Sequence, residues 1–309
     1  MPRRAWGVVL QLALLAVVGW FVARTFIDRW EEFRAYPLDL QADPGLLVLA
    51  ALVVWSGYAA LIAGWRGVLR GWNETLAPWQ AGRIWALSSL GKYIPGKIWA
   101  VAGMVVMAQR AGVRPVAAAG SALVMQLLAM GTGAAVVALT GVLALATDGW
   151  LRLGLIAVLV ASVIGTLVLL QGRWLNRVLA RLPGGIDQQA ATPTPMSILG
   201  GAGANVLAWG AYGVAVWLLA RALIPEASFP LLTTIGAFAA SYIVGFLVLL
   251  VPGGLGVREG VFVLMLQGVV GLAPATAIAL ASRLLFTLTE VGVAVLFLLF
   301  PKGGSRAAS

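Results

Sequence analysis

Two proline-glycine steps, 157 residues apart, interrupt otherwise apolar sequence: LGKYIPGKIW around Pro95-Gly96, and LLVPGGLGVREG around Pro252-Gly253. Each step carries flanking charges. Proline cannot continue a helix, and glycine lets backbone come close to another group, so no unbroken helix runs through either place. The same offset of 157 aligns Gln126-Leu127-Leu128 with Arg283-Leu284-Leu285, and Thr132 with Thr289. An offset of 154 aligns Trp55-x-x-Tyr58 with Trp209-x-x-Tyr212. The pattern indicates an old internal duplication whose halves share a weak point. Paired broken segments at corresponding positions of two halves point to a transporter's binding site.

The breaks matter because the sequence around them belongs in lipid. The chain is 61% hydrophobic and 10% charged, with a mean hydropathy of +0.97. Such a composition describes a polytopic membrane protein. There are no cysteines and no histidines, which excludes disulfides, thiol nucleophiles, thiolate or imidazole metal sites and histidine acid-base chemistry. No cofactor or metal is expected. The net charge of +10 is read as topology signal and headgroup contact rather than as a nucleic-acid surface.

Hydropathy predicts full spans over 6–27, 45–65, 115–146, 151–171, 197–222 and 275–300, with broken segments over 79–110 and 229–272. The halves of the first break, 79–91 and 97–109, are each too short to cross about 30 Å of hydrocarbon. The N-terminal stretch resembles a signal sequence, but its apolar run is long, and it is read as a retained first helix. A basic, Pro/Gly/Thr-rich stretch over 173–196 is expected to be a cytoplasmic linker. If each broken segment dips in and returns on one side, Arg3, Arg4, Arg66, Arg70, Arg110, Arg114, Arg173, Arg177, Arg181, Lys302 and Arg306 all face the cytoplasm, and the acidic 28–43 loop, Asp148 and Glu226 face outside. The positive-inside rule favours that arrangement over full crossings.

The expected fold is therefore an all-α polytopic membrane protein, one membrane domain over 1–309, with about six full transmembrane helices and two re-entrant helical hairpins. The units 45–146 and 197–300 then form an inverted repeat whose hairpin tips meet near the midplane. Both termini are expected in the cytoplasm, and the chain in the inner membrane.

Six charges fall at or near hydrocarbon depth: Lys92, Lys97, Arg258, Glu259, Arg283 and Glu290. Each unpaired charge there costs roughly 2.5–3.5 kcal/mol even on a lenient scale, so they must pair, reach water or neutralise a ligand. Arg258-Glu259 and Arg283-Glu290 are expected to pair partly among themselves, the latter being seven apart on one helix face. Four cations against two acids leave an excess of two positive charges, which a phosphate-bearing ligand would offset. Helices restarting after Gly96 and Gly256 present free N–H groups beside Lys97 and Arg258, a ready anion site. Blander roles stay open: Lys92 and Lys97 as headgroup anchors, Arg283-Glu290 as a structural pair. The Trp-x-x-Tyr pairs are read as interfacial belt residues, and Asn205 as helix-helix glue. Glu259 and Glu290 are the acids available for a proton-coupled step.

On LGKYIPGKIW at 90–99, VPGGLGVREG at 251–260 and ALASRLLFTLTEV at 279–291, the chain resembles the lysylphosphatidylglycerol synthase transmembrane-domain family of flippase-like membrane proteins, over roughly residues 45–300. The resemblance implies movement of a lipid with a large polar head. It carries over to Lys92, Tyr93, Pro95, Gly96, Lys97, Pro252, Gly253, Gly254, Gly256, Arg258, Glu259, Arg283 and Glu290. In bifunctional members a synthase domain follows and makes aminoacyl-phosphatidylglycerol; none is expected after Lys302 here, and the resemblance to stand-alone relatives implies other lipids, polyprenyl-phosphate sugars among them. The expected function is a flippase for an anionic, phosphate-headed lipid. The rival readings are an intramembrane lipid-linked transferase, and a non-transporting scaffold for a lipid-modifying synthase or glycosyltransferase.

Overall fold

The computed structural model describes residues 27, 41–94, 98–144, 149–170, 193–248 and 251–299. The span expected over 6–27 (apart from Ile27), most of the linker expected over 173–196, and Pro95, Gly96 and Lys97 lie outside the described residues. All described regular structure is helical: α1 (Pro44–Arg70), α2 (Pro78–Ser89), α3 (Ile98–Arg110), α4 (Pro115–Ala144), α5 (Gly149–Leu170), α6 (Pro195–Leu223), α7 (Leu231–Leu247), α8 (Val257–Val270) and α9 (Leu272–Leu299), with 3-10 turns at Leu90–Tyr93 and Pro252–Gly254. Five helices (α1, α4, α5, α6 and α9) are long and apolar enough to cross a membrane. At about 1.5 Å per residue, α2, α3 and α8 each fall short of a 30 Å core. The order long, short, short, long thus occurs twice, as α1–α4 and as α6–α9.

Helix starts follow local chemistry. Asp43 caps α1, its Oδ1 accepting from Gly45 N at 2.8 Å and Leu46 N at 3.1 Å. Thr194 caps α6 through Ser197 N at 3.3 Å. Both helices then open on proline, whose missing N–H costs nothing in the first turn. The helix α5 packs on α4 and, less extensively, on α6. It leaves Leu153, Ile156, Val160, Val163, Ile164 and Leu167 exposed. A helix apolar all round and uncovered by protein is one that lipid covers.

The most extensive helix pair is α1 with α6. They run antiparallel: Gln41 N and Asp43 N donate to Leu223 O and Ala222 O at 2.9 and 3.2 Å, and at the other end a side chain on Gly71 would touch Ser197. Around the second of these ends, Arg114 bonds Glu74 and the carbonyl of Trp72, so the loops on either side of the α2–α3 segment lie together. Around the first, Ile224 and Phe229 share one buried cluster with Leu266 and Leu272, so the flanks of the α7–α8 segment also lie together. Arg70, Arg110 and Arg114 gather at the first-mentioned segment's flanks and make that end basic.

Interhelical contacts recur with partners exchanged. Trp209 Nε1 donates to Thr132 Oγ1 at 3.2 Å, and Trp55 Nε1 to Thr289 O at 3.4 Å. A Cβ on Gly82 would lie 2.6 Å from Phe297, and one on Gly236 2.3 Å from Thr140. Tyr58 meets Tyr212 edge-on, with ring centroids 5.6 Å apart. Of the Trp-x-x-Tyr residues, expected at the membrane interface, Trp209, Tyr58 and Tyr212 stand inside the bundle, where the two tyrosine rings fill space between α1 and α6, while Trp55 stays exposed on the outer surface.

Close approach of α1 and α6 depends on small residues. A Cβ on Gly64 would lie 2.5 Å from Ala204 Cβ, which is fixed to its backbone, whereas Gly67 faces open space. Gly64→Val is expected to destabilise the protein by about 1–3 kcal/mol through overpacking, while Gly67→Ala is neutral or stabilising by up to about 1 kcal/mol. Thermal unfolding of the two variants in one detergent checks the contrast.

Candidate functional site

The two broken segments meet. The turn at Leu90–Tyr93 packs against the turn at Pro252–Gly254. Gly253 and Gly254 have φ of 57° and 68°, a region costly for residues with a side chain. A Cβ on Gly253 would also sit 3.0 Å from Arg283 Nη2 and 3.4 Å from Tyr93 Cδ1. The glycines are therefore required twice, for the turn and for the approach of its backbone to the neighbouring side chains.

One face of α9 joins both breaks. Arg283 and Glu290 are two turns apart, about 10 Å along the axis. Arg283 Nη1 donates to Glu259 Oε1 at 2.7 Å and to the Gly253 carbonyl at 3.3 Å. Glu290 forms an ion pair with Lys92 through Oε1, and its Oε2 accepts from the Tyr93 hydroxyl at 2.8 Å. That hydroxyl also lies 3.3 Å from Thr287 Oγ1. The expected pairs Arg258-Glu259 and Arg283-Glu290 are thus replaced. Each acid is matched across helices with a cation from another element, because the second break brings Glu259 to α9 while the first brings Lys92 to it.

Arg258 is left over. Among the described residues it has no carboxylate partner; its guanidinium lies over the rings of Tyr242 and Phe238, at 4.8 and 5.7 Å from their centroids. Its stem runs over Gly245, where a Cβ would clash with Arg258 Cγ at 2.3 Å. Aromatic faces attract a guanidinium but leave its in-plane donors unspent. Arg258 is also the second residue of α8, whose first turn offers unpaired N–H groups.

Arg258 lines a cavity of about 220 Å³ that also touches Lys92, Glu290 and Gly253. Lining residues from α1 (Tyr58, Leu61, Ile62), α3 (Ala100, Val101, Met104) and α4 (Ala122, Met125, Gln126, Ala129) place the cavity in the middle of the bundle and in the half toward its basic end. In the other half, Val216, Phe262, Val263, Leu266 and Ala279 form a closed apolar core.

Of the residues singled out in the sequence, Lys92, Tyr93, Gly253, Arg258, Glu259, Arg283 and Glu290 fall at this junction, while Lys97 lies outside the described residues with Pro95 and Gly96. Gly256 has φ of 75° and caps α8. Lys92, weighed as a headgroup anchor, is paired with Glu290. Sequence reasoning missed Tyr58, Tyr212, Phe238, Tyr242, Trp85 and Gln126 as lining residues. The duplicated Trp-x-x-Tyr was a signal for two of them. Asn205, expected as glue, bonds the Gly201 carbonyl of its own helix at 2.8 Å and borders the cavity. Among the described residues no group of three or more acidic, cysteine or histidine side chains could hold a metal ion.

Breaking the Lys92–Glu290 pair strands a buried charge. Lys92→Met is expected to cost about 3 kcal/mol or more, and adding Glu290→Met to recover most of that loss, since two apolar groups leave nothing unpaired. Melting temperatures of the two single variants and the double variant measure it. If the second substitution deepens the loss, the pairing is not what holds the breaks to α9.

No curated protein matches the chain significantly. The family model described as Lysylphosphatidylglycerol synthase TM region matches residues 8–294. That span contains both breaks, all of α1–α8 and α9 as far as Ala294. With charged, glycine-broken segments joined at depth in an all-helical, lipid-facing bundle, the chain belongs to the lysylphosphatidylglycerol synthase TM region family.

Proposed function

We propose that the protein moves an anionic, phosphate-headed lipid across the inner membrane, as a transporter and not as an enzyme. The observation that carries this reading is Arg258: the one charge of the described junction without an opposite partner, at a helix start, on the wall of a headgroup-sized cavity. A cation left unpaired at membrane depth is costly, and a phosphate at that place offsets the cost through paired hydrogen bonds. Tails of polyprenyl or acyl type would stay in lipid while the head passes.

In the same reading α1–α4 and α6–α9 are inverted repeats, each with a re-entrant hairpin. Support comes from the exchanged contacts: Trp209 with Thr132 against Trp55 with Thr289, Gly236 with Thr140 against Gly82 with Phe297, and Tyr58 on its own counterpart Tyr212. A pseudo-two-fold axis generates such pairs. Antiparallel α1 and α6, and flanks that lie together around each broken segment, support the inversion. The cavity lies on one side only. Positions 154 beyond Leu61 and Ile62, and 157 beyond Ala122, are Ala215, Val216 and Ala279, all sealed in the core. An open half and a packed half related by such an axis are what alternating access requires of one resting state. The gathering of Arg70, Arg110 and Arg114 at that end supports a cytoplasmic position for the open half.

The absence of native cysteine makes single-cysteine labelling a direct test of topology. Thr75→Cys and Ala111→Cys are expected to react with a membrane-impermeant maleimide from one face, and Ser228→Cys and Val269→Cys from the other. Labelling of Thr75→Cys and Ala111→Cys from opposite faces would replace the first hairpin by a full crossing. For function, headgroup accessibility is followed in vesicles carrying the purified protein. Arg258→Ala is expected to slow translocation of an anionic lipid tenfold or more, with Arg258→Lys intermediate, because lysine keeps the charge and loses the two-pronged bond. Translocation by Arg258→Ala at the normal rate would sink the assignment.

A further inference from the structure

The cavity also carries information about the part of the head beyond the phosphate. This step rests on the reading of Arg258 as the phosphate contact.

Every carboxylate oxygen near the cavity is committed or out of reach. Glu290 gives Oε1 to Lys92 and Oε2 to Tyr93. Glu259 gives Oε1 to Arg283, and its Oε2 is buried without a partner and away from the cavity lining. An ammonium group on the head would therefore find no free carboxylate among the described residues, and would meet the unmatched charge of Arg258. The rest of the polar lining is neutral: Ser88, Ser89, Gln126, Asn205, Tyr58, Tyr212 and Tyr242, with the ring of Trp85 beside them. Several of these have spare capacity. Ser88 spends its proton on the Trp85 carbonyl at 3.2 Å and keeps its lone pairs. Asn205 spends an N–H on Gly201 and keeps its carbonyl oxygen. The Tyr58 hydroxyl is turned to Thr289 and Glu290, and the Tyr212 hydroxyl is buried without a hydrogen-bond partner. Buried polar groups left unmatched are costly, so such an inventory marks a place where a ligand completes the bonding.

We propose that this wall is a subsite for an uncharged, hydroxyl-rich group attached to the phosphate, such as a sugar or an inositol ring, and that it discriminates against cationic aminoacyl heads. Hydroxyls both donate and accept, so they satisfy a mixture of carbonyl, hydroxyl and amide groups where an ammonium satisfies acceptors alone. A ring of hydroxyls also presents a C–H face to Trp85. The net charge of the preferred head is that of its phosphate, which Arg258 matches.

The test measures binding to the purified full chain in detergent with four short-chain lipids: phosphatidylinositol, a prenyl phosphohexose, phosphatidic acid and lysylphosphatidylglycerol. The first two separate acyl from prenyl tails, and phosphatidic acid reports the phosphate contact alone. At least one hydroxylated lipid is expected to bind tenfold or more tightly than lysylphosphatidylglycerol. Gln126→Ala with Asn205→Ala should weaken that lipid fivefold or more and leave phosphatidic acid unchanged, which also shows that the variant is folded. If the double variant does not fold, Gln126→Ala alone should weaken the hydroxylated lipid selectively. Equal or tighter binding of lysylphosphatidylglycerol, or equal losses for phosphatidic acid and the hydroxylated lipid, overturns the subsite. If neither phosphatidic acid nor any hydroxylated lipid binds, the anionic-lipid reading itself falls, and the subsite with it.

Discussion

A charge held at hydrocarbon depth has to be answered by another charge, and most of this structure's centre can be derived from that constraint. In hydrocarbon there is no water to screen or solvate an ammonium or carboxylate. Lys92 and Arg283 therefore draw Glu290 and Glu259 to them, and because the partners sit on different elements, the pairs are also clamps. The helix α9 supplies one member of each, so a single rigid helix fixes the position of both broken segments. The turn at Gly253 then comes within reach of Arg283 and Tyr93, and the two segments touch.

The clamp explains why the leftover charge is informative. With the acids spent, Arg258 stands against aromatic rings, over a glycine that leaves room for its stem. Rings tolerate a guanidinium without consuming its donors, so it is held in place and kept available. The cavity beside it is small, and it lies between helices whose mutual approach depends on glycine. Outside it, α5 and the outer faces of α1 and α9 are uncovered by protein.

The sequence made much of this legible. Apolar length located α1, α4, α5, α6 and α9 to within a few residues, because the thickness of a bilayer sets the length of a spanning helix. Proline and glycine located the breaks, because their backbone preferences are local. Two inferences failed for the opposite reason. The ion pairs were assigned within a segment, between neighbours or along one helix face, whereas the folded chain pairs Lys92 with Glu290 and Glu259 with Arg283. The Trp-x-x-Tyr pairs were placed at the membrane interface on residue type, whereas three of the four residues are inside: Trp209 is buried, Tyr58 and Tyr212 meet on the cavity wall, and Trp55 alone is exposed.

By itself the sequence determined which segments enter lipid, where they break and how much charge they carry, since these follow from composition and from local backbone restrictions. Only the tertiary structure decided which charges cancel, which cation remains, and that tyrosines, amides and a tryptophan from five helices share one cavity. Coulomb attraction and hydrogen bonding depend on distance through space, and helices far apart in the chain set that distance only when they pack.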